Sequence, residues 1–267
     1  MKNGINSKIG SALLTIIALL SFSFRGYSSI PAKQEYFELR IYHIAQKAQE
    51  ERVDTYLKDV YLPALHRAGI TRVGVFKPVE SDTAFGKLIY VFIPFSTADQ
   101  FIQLPDVLGK DQVYTEAGKS FTDASSNDPP YARFESILMK AFLDMPQSAA
   151  PKYTNPVNER IYELRSYESA TEAKAVKKIY MFNQGGEIQL FKSLGFNAVF
   201  FGEVLVGSYK PNLMYMTTFS DMASHDALWK AFVSHPEWKK LSSMEEYKNT
   251  VSKLSSYLLH PTSYSDF

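Results

Sequence analysis

The chain contains no cysteine. That excludes disulfides, thiol catalysis, cysteine-ligated zinc, iron–sulfur clusters and a lipidated N-terminal cysteine. It has almost no charge excess, with 29 basic against 28 acidic residues. No basic field therefore argues for a nucleic-acid partner. Glycine and proline number 13 each in 267 residues, too few for a collagen-like or low-complexity chain. Charged residues are 21% and apolar residues 45%, which excludes the disordered class and supplies a sizeable core. No G-x-G-x-x-G, Walker or G-x-S-x-G motif occurs.

The N-terminus differs from the rest. Lys2 and Lys8 give a positive start, and residues 9–24 are almost wholly apolar or small. That run is short for a spanning helix, which needs about 20 residues. Gly26 and Ser28 place small residues at −3 and −1 of a cleavage site. Residues 1–28 thus read as a secretory signal peptide, with an uncleaved anchor as the alternative. Cleavage leaves 239 residues, 26 basic and 28 acidic, with no further run of membrane-spanning length. The expected location is periplasmic or secreted.

An internal repeat organises the remainder. Phe37-Glu38-Leu39-Arg40-Ile41-Tyr42 recurs as Tyr162-Glu163-Leu164-Arg165-Ser166-Tyr167. Ala68-Gly69-Ile70 answers Leu194-Gly195-Phe196, and Leu88-Ile89-Tyr90-Val91 answers Leu213-Met214-Tyr215-Met216. The spacing is too long for a solenoid. It predicts tandem domains at 34–145 and 156–264, joined by a linker at 146–155. Strand alternation at 36–43, a helical stripe over 46–68 and two further strands open each copy. A second helix and a closing strand complete a β-α-β-β-α-β order.

The predicted fold class is α+β: two ferredoxin-like units packed sheet to sheet as an intrachain α/β barrel. Phe37, Leu39 and Ile41 are assigned to the helix-facing side. Glu38, Arg40, Glu163 and Arg165 are assigned to the barrel interior, paired there because buried charges demand partners.

These residues resemble the NIPSNAP family. The likeness rests on E-L-R-x-Y, on Tyr61-Leu62-Pro63-Ala64-Leu65 with Ala68-Gly69-Ile70, and on Trp229-Lys230-Ala231-Phe232 followed by Pro236-Glu237-Trp238-Lys239. It implies two NIPSNAP-like domains with a dimeric α/β-barrel fold closed within one chain. It implies no settled activity. The export signal and the domain pair look most like bacterial envelope members. In the first copy Pro105 and Tyr114 stand where the second has Trp229 and Trp238, so the second copy is the expected holder of a site.

The candidate ligand-binding residues are Glu38, Arg40, Tyr42, Glu163, Arg165, Tyr167, Asn183, Trp229 and His235. Arginine offers a fork for an anion, tyrosine a hydroxyl, and glutamate a base if burial raises its pKa. The competing reading of the same set is a structural network. Asn183-Gln184-Gly185-Gly186 breaks a helix, and small residues there admit a ligand or a neighbouring backbone. His43, His66, His225, His235 and His260 show no metal-ligating spacing and no haem-ligand mark, so no metal or cofactor is expected. His235, before Pro236, reads as a helix start.

Two functions follow. One is an exported protein that binds a small anionic or aromatic molecule, with cofactor-independent monooxygenase-like chemistry as its catalytic form. The other is a non-catalytic envelope protein acting through a protein partner. Homo-oligomers are compatible with both.

Overall fold

The computed structural model of the chain describes residues 33–150 and 153–267, together with Met1. The predicted leader, Met1 apart, and residues 151 and 152 of the predicted linker lie outside the described residues. Eight strands are present: β1 (Tyr36–His43), β2 (Gly74–Pro78), β3 (Leu88–Phe95), β4 (Arg133–Ala141), β5 (Ile161–Glu168), β6 (Asn197–Val206), β7 (Asn212–Phe219) and β8 (Lys253–Pro261). They close into one barrel in the order β1-β3-β2-β8-β5-β7-β6-β4, every pair antiparallel.

This corrects the expectation of two tandem ferredoxin-like units packed sheet to sheet. The two quartets of strands do not stack face against face. Their edges join, Phe76 opposite Pro261 on one side and Leu138 opposite Val206 on the other. A bulge at Leu138/Met139 bends β4 where it meets β6. Closure pairs edge strands that separate sheets would leave open. The described residues from 33 to 267 accordingly form a single compact unit with one barrel. Neither a tandem pair of independent units nor a dimeric barrel describes the result. The predicted linker is packed too: Ser148 donates from its backbone N–H and its hydroxyl to Glu35 at 2.7 and 2.8 Å.

The predicted faces of the strands are reversed. Phe37 and Leu39 of β1 point into the barrel, where they meet Phe92, Leu164, Phe200 and Met216 from around the ring. Phe92 and Phe200 stack at 4.7 Å. Glu38, Arg40, Glu163 and Arg165 point outward, beneath the helices. An eight-stranded barrel is just wide enough for side chains to fill, so apolar groups take the inside. Both faces of β1 are buried, Phe37 at 0% and Glu38 at 1% exposure. Alternation alone therefore cannot tell the inner face from the outer.

Helices cover the outside. In the first half α1 (Lys47–Tyr56) runs into a five-residue π-helical segment, Leu57–Tyr61, and then α2 (Leu62–Arg67). Pro63 lacks the N–H an unbroken helix would need there; the chain widens one turn ahead of it and stays helical. Helix α3 (Ala98–Lys110) is N-capped by Thr97. Helix α4 (Gln112–Thr122), absent from the sequence expectation, begins at the Asp111 cap. In the second half α5 (Glu172–Phe182), α6 (Glu187–Ser193), α7 (Met222–Ser234) and α8 (Pro236–Ser243) play the same part. Phe182, Phe191 and Phe232 pack there on Phe201 and Tyr215. No helix among the described residues is long and apolar enough to cross a membrane.

Candidate functional site

One arrangement occurs twice. On β1, Arg40 donates from Nε and Nη2 to Glu38 at 3.1 and 3.4 Å. Ser136, opposite Arg40 on β4, donates to the same carboxylate at 2.8 Å. On β5, Arg165 Nη1 lies 3.5 Å from Glu163, and Ser256, opposite Arg165 on β8, donates to that carboxylate at 2.6 Å. The internal repeat thus builds two Glu–Arg–Ser clusters between barrel and helices. The serines escaped the sequence reading because only strand register brings them in.

The clusters differ in what lies over them. Over Arg165 sits Trp229 of α7, its ring centroid 4.2 Å from the guanidinium carbon. The Trp229 indole N–H donates to Glu163 at 2.6 Å. His225, one turn earlier on α7, stands 3.3 Å from Glu163 and 2.8 Å from Asp226. The sequence did not single out His225. Burial disfavours charge on both His225 and Glu163, but their mutual contact outweighs it. The His225 pKa is raised, Asp226 assisting, and that of Glu163 is lowered, Arg165 and Ser256 assisting. Tyr167 completes this side, its hydroxyl 2.9 Å from that of Tyr215.

Over Arg40 the corresponding position is Pro105, whose short ring leaves a cleft of about 390 Å3. Arg40, Tyr61, Leu104, Leu108 and Tyr114 form its walls. The guanidinium carbon lies 5.2 Å from the Tyr61 ring centroid and 5.1 Å from that of Phe134. Tyr42, two residues along β1, hydrogen-bonds the same guanidinium. The Tyr61 hydroxyl is buried with no hydrogen-bond partner. Burial works against the Arg40 charge, yet Tyr61, Glu38 and Tyr42 outweigh it and hold its pKa well above the ordinary value. Tyr42, 2% exposed, has its pKa raised by burial, with Arg40 opposing. The widened turn at Leu57–Tyr61 delivers Tyr61 to the cleft, and α4 delivers Tyr114.

The structure therefore gathers Glu38, Arg40 and Tyr42 in one place and Glu163, Arg165, Tyr167 and Trp229 in another. Asn183 and His235 join neither. Asn183 ends α5, where its side chain accepts from the Asp144 N–H and donates to the Ile179 carbonyl. Gly185 lies under Met181, whose carbonyl oxygen would be 2.6 Å from an added Cβ, and Gly186 starts α6 at φ +91°. Both glycines also line a surface cleft of about 450 Å3. His235 caps α8, accepting from the Glu237 N–H at 3.2 Å. The Arg40 cleft lies in the first half, and another cleft, of about 450 Å3, lies beside Gly185, Gly186 and Glu237 in the second. No cluster of three or more metal-ligating side chains occurs among the described residues.

Residues 162–266 match the family model of NIPSNAP. The match covers the second half alone, and together with the single barrel it overturns the expectation of tandem NIPSNAP-like domains. Among solved structures, a candidate monooxygenase from Lactobacillus acidophilus is similar at 12% identity. The likeness covers 86% of this chain and 94% of that one, at a TM-score of 0.55. A candidate monooxygenase from Fusobacterium nucleatum subsp. nucleatum is similar at 9% identity, 86% and 93% coverage and a TM-score of 0.55. An anthrone oxidase-like protein is similar at 10% identity, 87% and 93% coverage and a TM-score of 0.52. At these identities the likeness is one of fold. No curated protein matches the chain.

Proposed function

We propose that the chain binds a small anionic aromatic molecule in the Arg40–Tyr61 cleft. The observation that carries this reading is a guanidinium and an unpartnered hydroxyl side by side in one cleft. Arg40 lines the cleft, and the buried Tyr61 hydroxyl has no hydrogen-bond partner. A carboxylate or phenolate would take both, and the rings of Tyr61 and Tyr114 would flank an aromatic body. The cleft lies within the size range of small-molecule sites. The catalytic form of this reading is oxygenation without a cofactor, in which Arg40 stabilises a substrate anion electron-rich enough to react with O2. The barrels of similar fold described as monooxygenases support that form by analogy alone.

The test is calorimetric titration of 4-hydroxybenzoate into the purified chain. Arg40→Lys keeps the charge but loses the fork, and Tyr61→Phe loses the hydroxyl. Each should weaken binding by roughly tenfold, while Arg165→Lys leaves it unchanged. Equal affinity in the Arg40→Lys variant would overturn the reading. Oxygen uptake with a phenolic substrate in chelator-treated buffer tests the catalytic form.

A second reading, a non-catalytic envelope protein docking a partner or a second copy, is favoured by Phe134 and Leu254. They lie on the outer faces of β4 and β8 at 43% and 48% exposure. Export belongs to both readings and rests on Lys2, Lys8, the apolar stretch 9–24 and the small residues Gly26 and Ser28. Sequencing the N-terminus of the protein from a fractionated host tests it: a chain starting at Ser29 supports export, and an intact Met1 in the cytoplasmic fraction overturns it.

A further inference from the structure

The barrel interior narrows to a second cavity at one mouth, of about 220 Å3. Ile41, Ile137, Leu164 and Met214 supply its apolar wall, with Tyr90 and Tyr257 beside them. The two tyrosine rings stand 6.1 Å apart. Every one of these residues comes from a strand whose register is set by the closed ladder, so the space is preformed. Tyr90 is 2% exposed as a residue and lines this space. Its hydroxyl can donate to or accept from an occupant there.

The rim decides the occupant's charge. His43 Nε2 lies 2.6 Å from Glu135, and Lys253 Nζ lies 3.2 Å from Glu168. Asn212 donates to Ser166 at 2.9 Å. Both carboxylates and Lys253 at the mouth are already engaged, so an ion would enter a low-dielectric space without a free partner. A neutral molecule avoids that cost. The apolar wall suits a ring, and the Tyr90 hydroxyl suits a single polar handle.

We propose that this mouth is a second ligand site, taking a neutral single-ring molecule that carries one hydroxyl or carbonyl group. It is independent of the Arg40 cleft. Ile41 and Arg40 are neighbours on β1, and their side chains leave opposite faces of the barrel wall.

Phenol, titrated into methyl-labelled protein and followed by NMR, is the probe. The expected result is saturable shifts at Ile41, Ile137, Leu164 and Met214. Tyr90→Phe should weaken binding three- to tenfold, the scale of one hydrogen bond. Ser255→Phe, which fills the rim opposite Ser166, should abolish it. Arg40→Lys should leave it unchanged, which separates this site from the anion cleft. Tyr90→Phe deletes one atom and keeps the packed ring, so its melting midpoint should stay near wild type. The proposal is overturned if the shifts at these methyls grow linearly without saturation, as for a cavity that holds only water. It is equally overturned if phenol binds Tyr90→Phe or Ser255→Phe as tightly as it binds the wild type.

Discussion

Trp229 lies flat enough over Arg165 to sit 4.2 Å from its guanidinium carbon while donating its indole N–H to the arginine's own partner, Glu163, at 2.6 Å. One side chain thus closes both members of an ion pair. At Arg40 the rings of Tyr61 and Phe134 flank the guanidinium instead, since Pro105 stands where the second half has Trp229. The two clusters are about equally buried, the arginines at 19% and 16% exposure and the glutamates at 1% and 5%, and they differ in the rings that flank them.

Arg165→Ala should destabilise the fold. It leaves Glu163, 4% exposed, without its guanidinium partner and strips the ring contact of Trp229. The expected cost is about 2–4 kcal/mol, the range for breaking one side of a buried pair. Denaturant titration reads it, and an unchanged midpoint would contradict the packing described.

Trp229→Ala should uncover the second cluster. The cost in stability is roughly 3 kcal/mol or more for an aromatic-to-alanine change in a packed site. If the Trp229 ring is what distinguishes the halves, the variant should also acquire a second 4-hydroxybenzoate site at Arg165. Calorimetric stoichiometry distinguishes one site from two.

The His225–Glu163 contact makes stability depend on pH in two windows. His225 has a raised pKa when folded, so its contribution is fully present below about pH 6.5, its unfolded value, and fades as pH rises through the folded value. Glu163 has a lowered folded pKa, so its contribution is present above about pH 4.3 and is lost as pH falls through the folded value. His225→Gln should remove the loss at the alkaline side, worth about 1 kcal/mol or less. Melting curves of both proteins between pH 5 and 9 should therefore converge as pH rises.

A second buried pair, Lys178 and Glu187, joins α5 to α6 at 2.7 Å, with both side chains no more than 5% exposed. Burial raises the Glu187 pKa, and Lys178 opposes that rise. Lys178→Met alone should cost about 3–5 kcal/mol by stranding the carboxyl group. Lys178→Met combined with Glu187→Leu should recover most of that loss. Additive losses in the double variant would show that the pair contributes more than charge compensation.

Much of this molecule was legible before folding. The recurrence of E-L-R-x-Y located both polar clusters, and strand alternation found β1 and β5 within a residue or so. The Gly185-Gly186 break and the His235 helix start were also visible, because turn and cap chemistry is local. Helix α4 was not. Its residues carry the cleft's Tyr114, and its start depends on the Asp111 cap accepting from the Tyr114 N–H. Tyr61 was seen as part of a motif without its role, since a widened helical turn ahead of Pro63 aims it.

What the sequence alone determined is local and pairwise: the strands, the caps, the lack of any cysteine chemistry, and the coupling of each glutamate to an arginine two residues along. What only the tertiary structure decided is which side of each strand faces inward. Period-two alternation defines two faces without naming them, and on a strand buried on both sides hydrophobicity no longer tells them apart. Closure into an eight-stranded barrel settles it, because that interior has room for rings and not for solvated charge. The polar clusters are thereby pushed beneath the helices, and the choice of proline or tryptophan above them sets which rings flank each arginine.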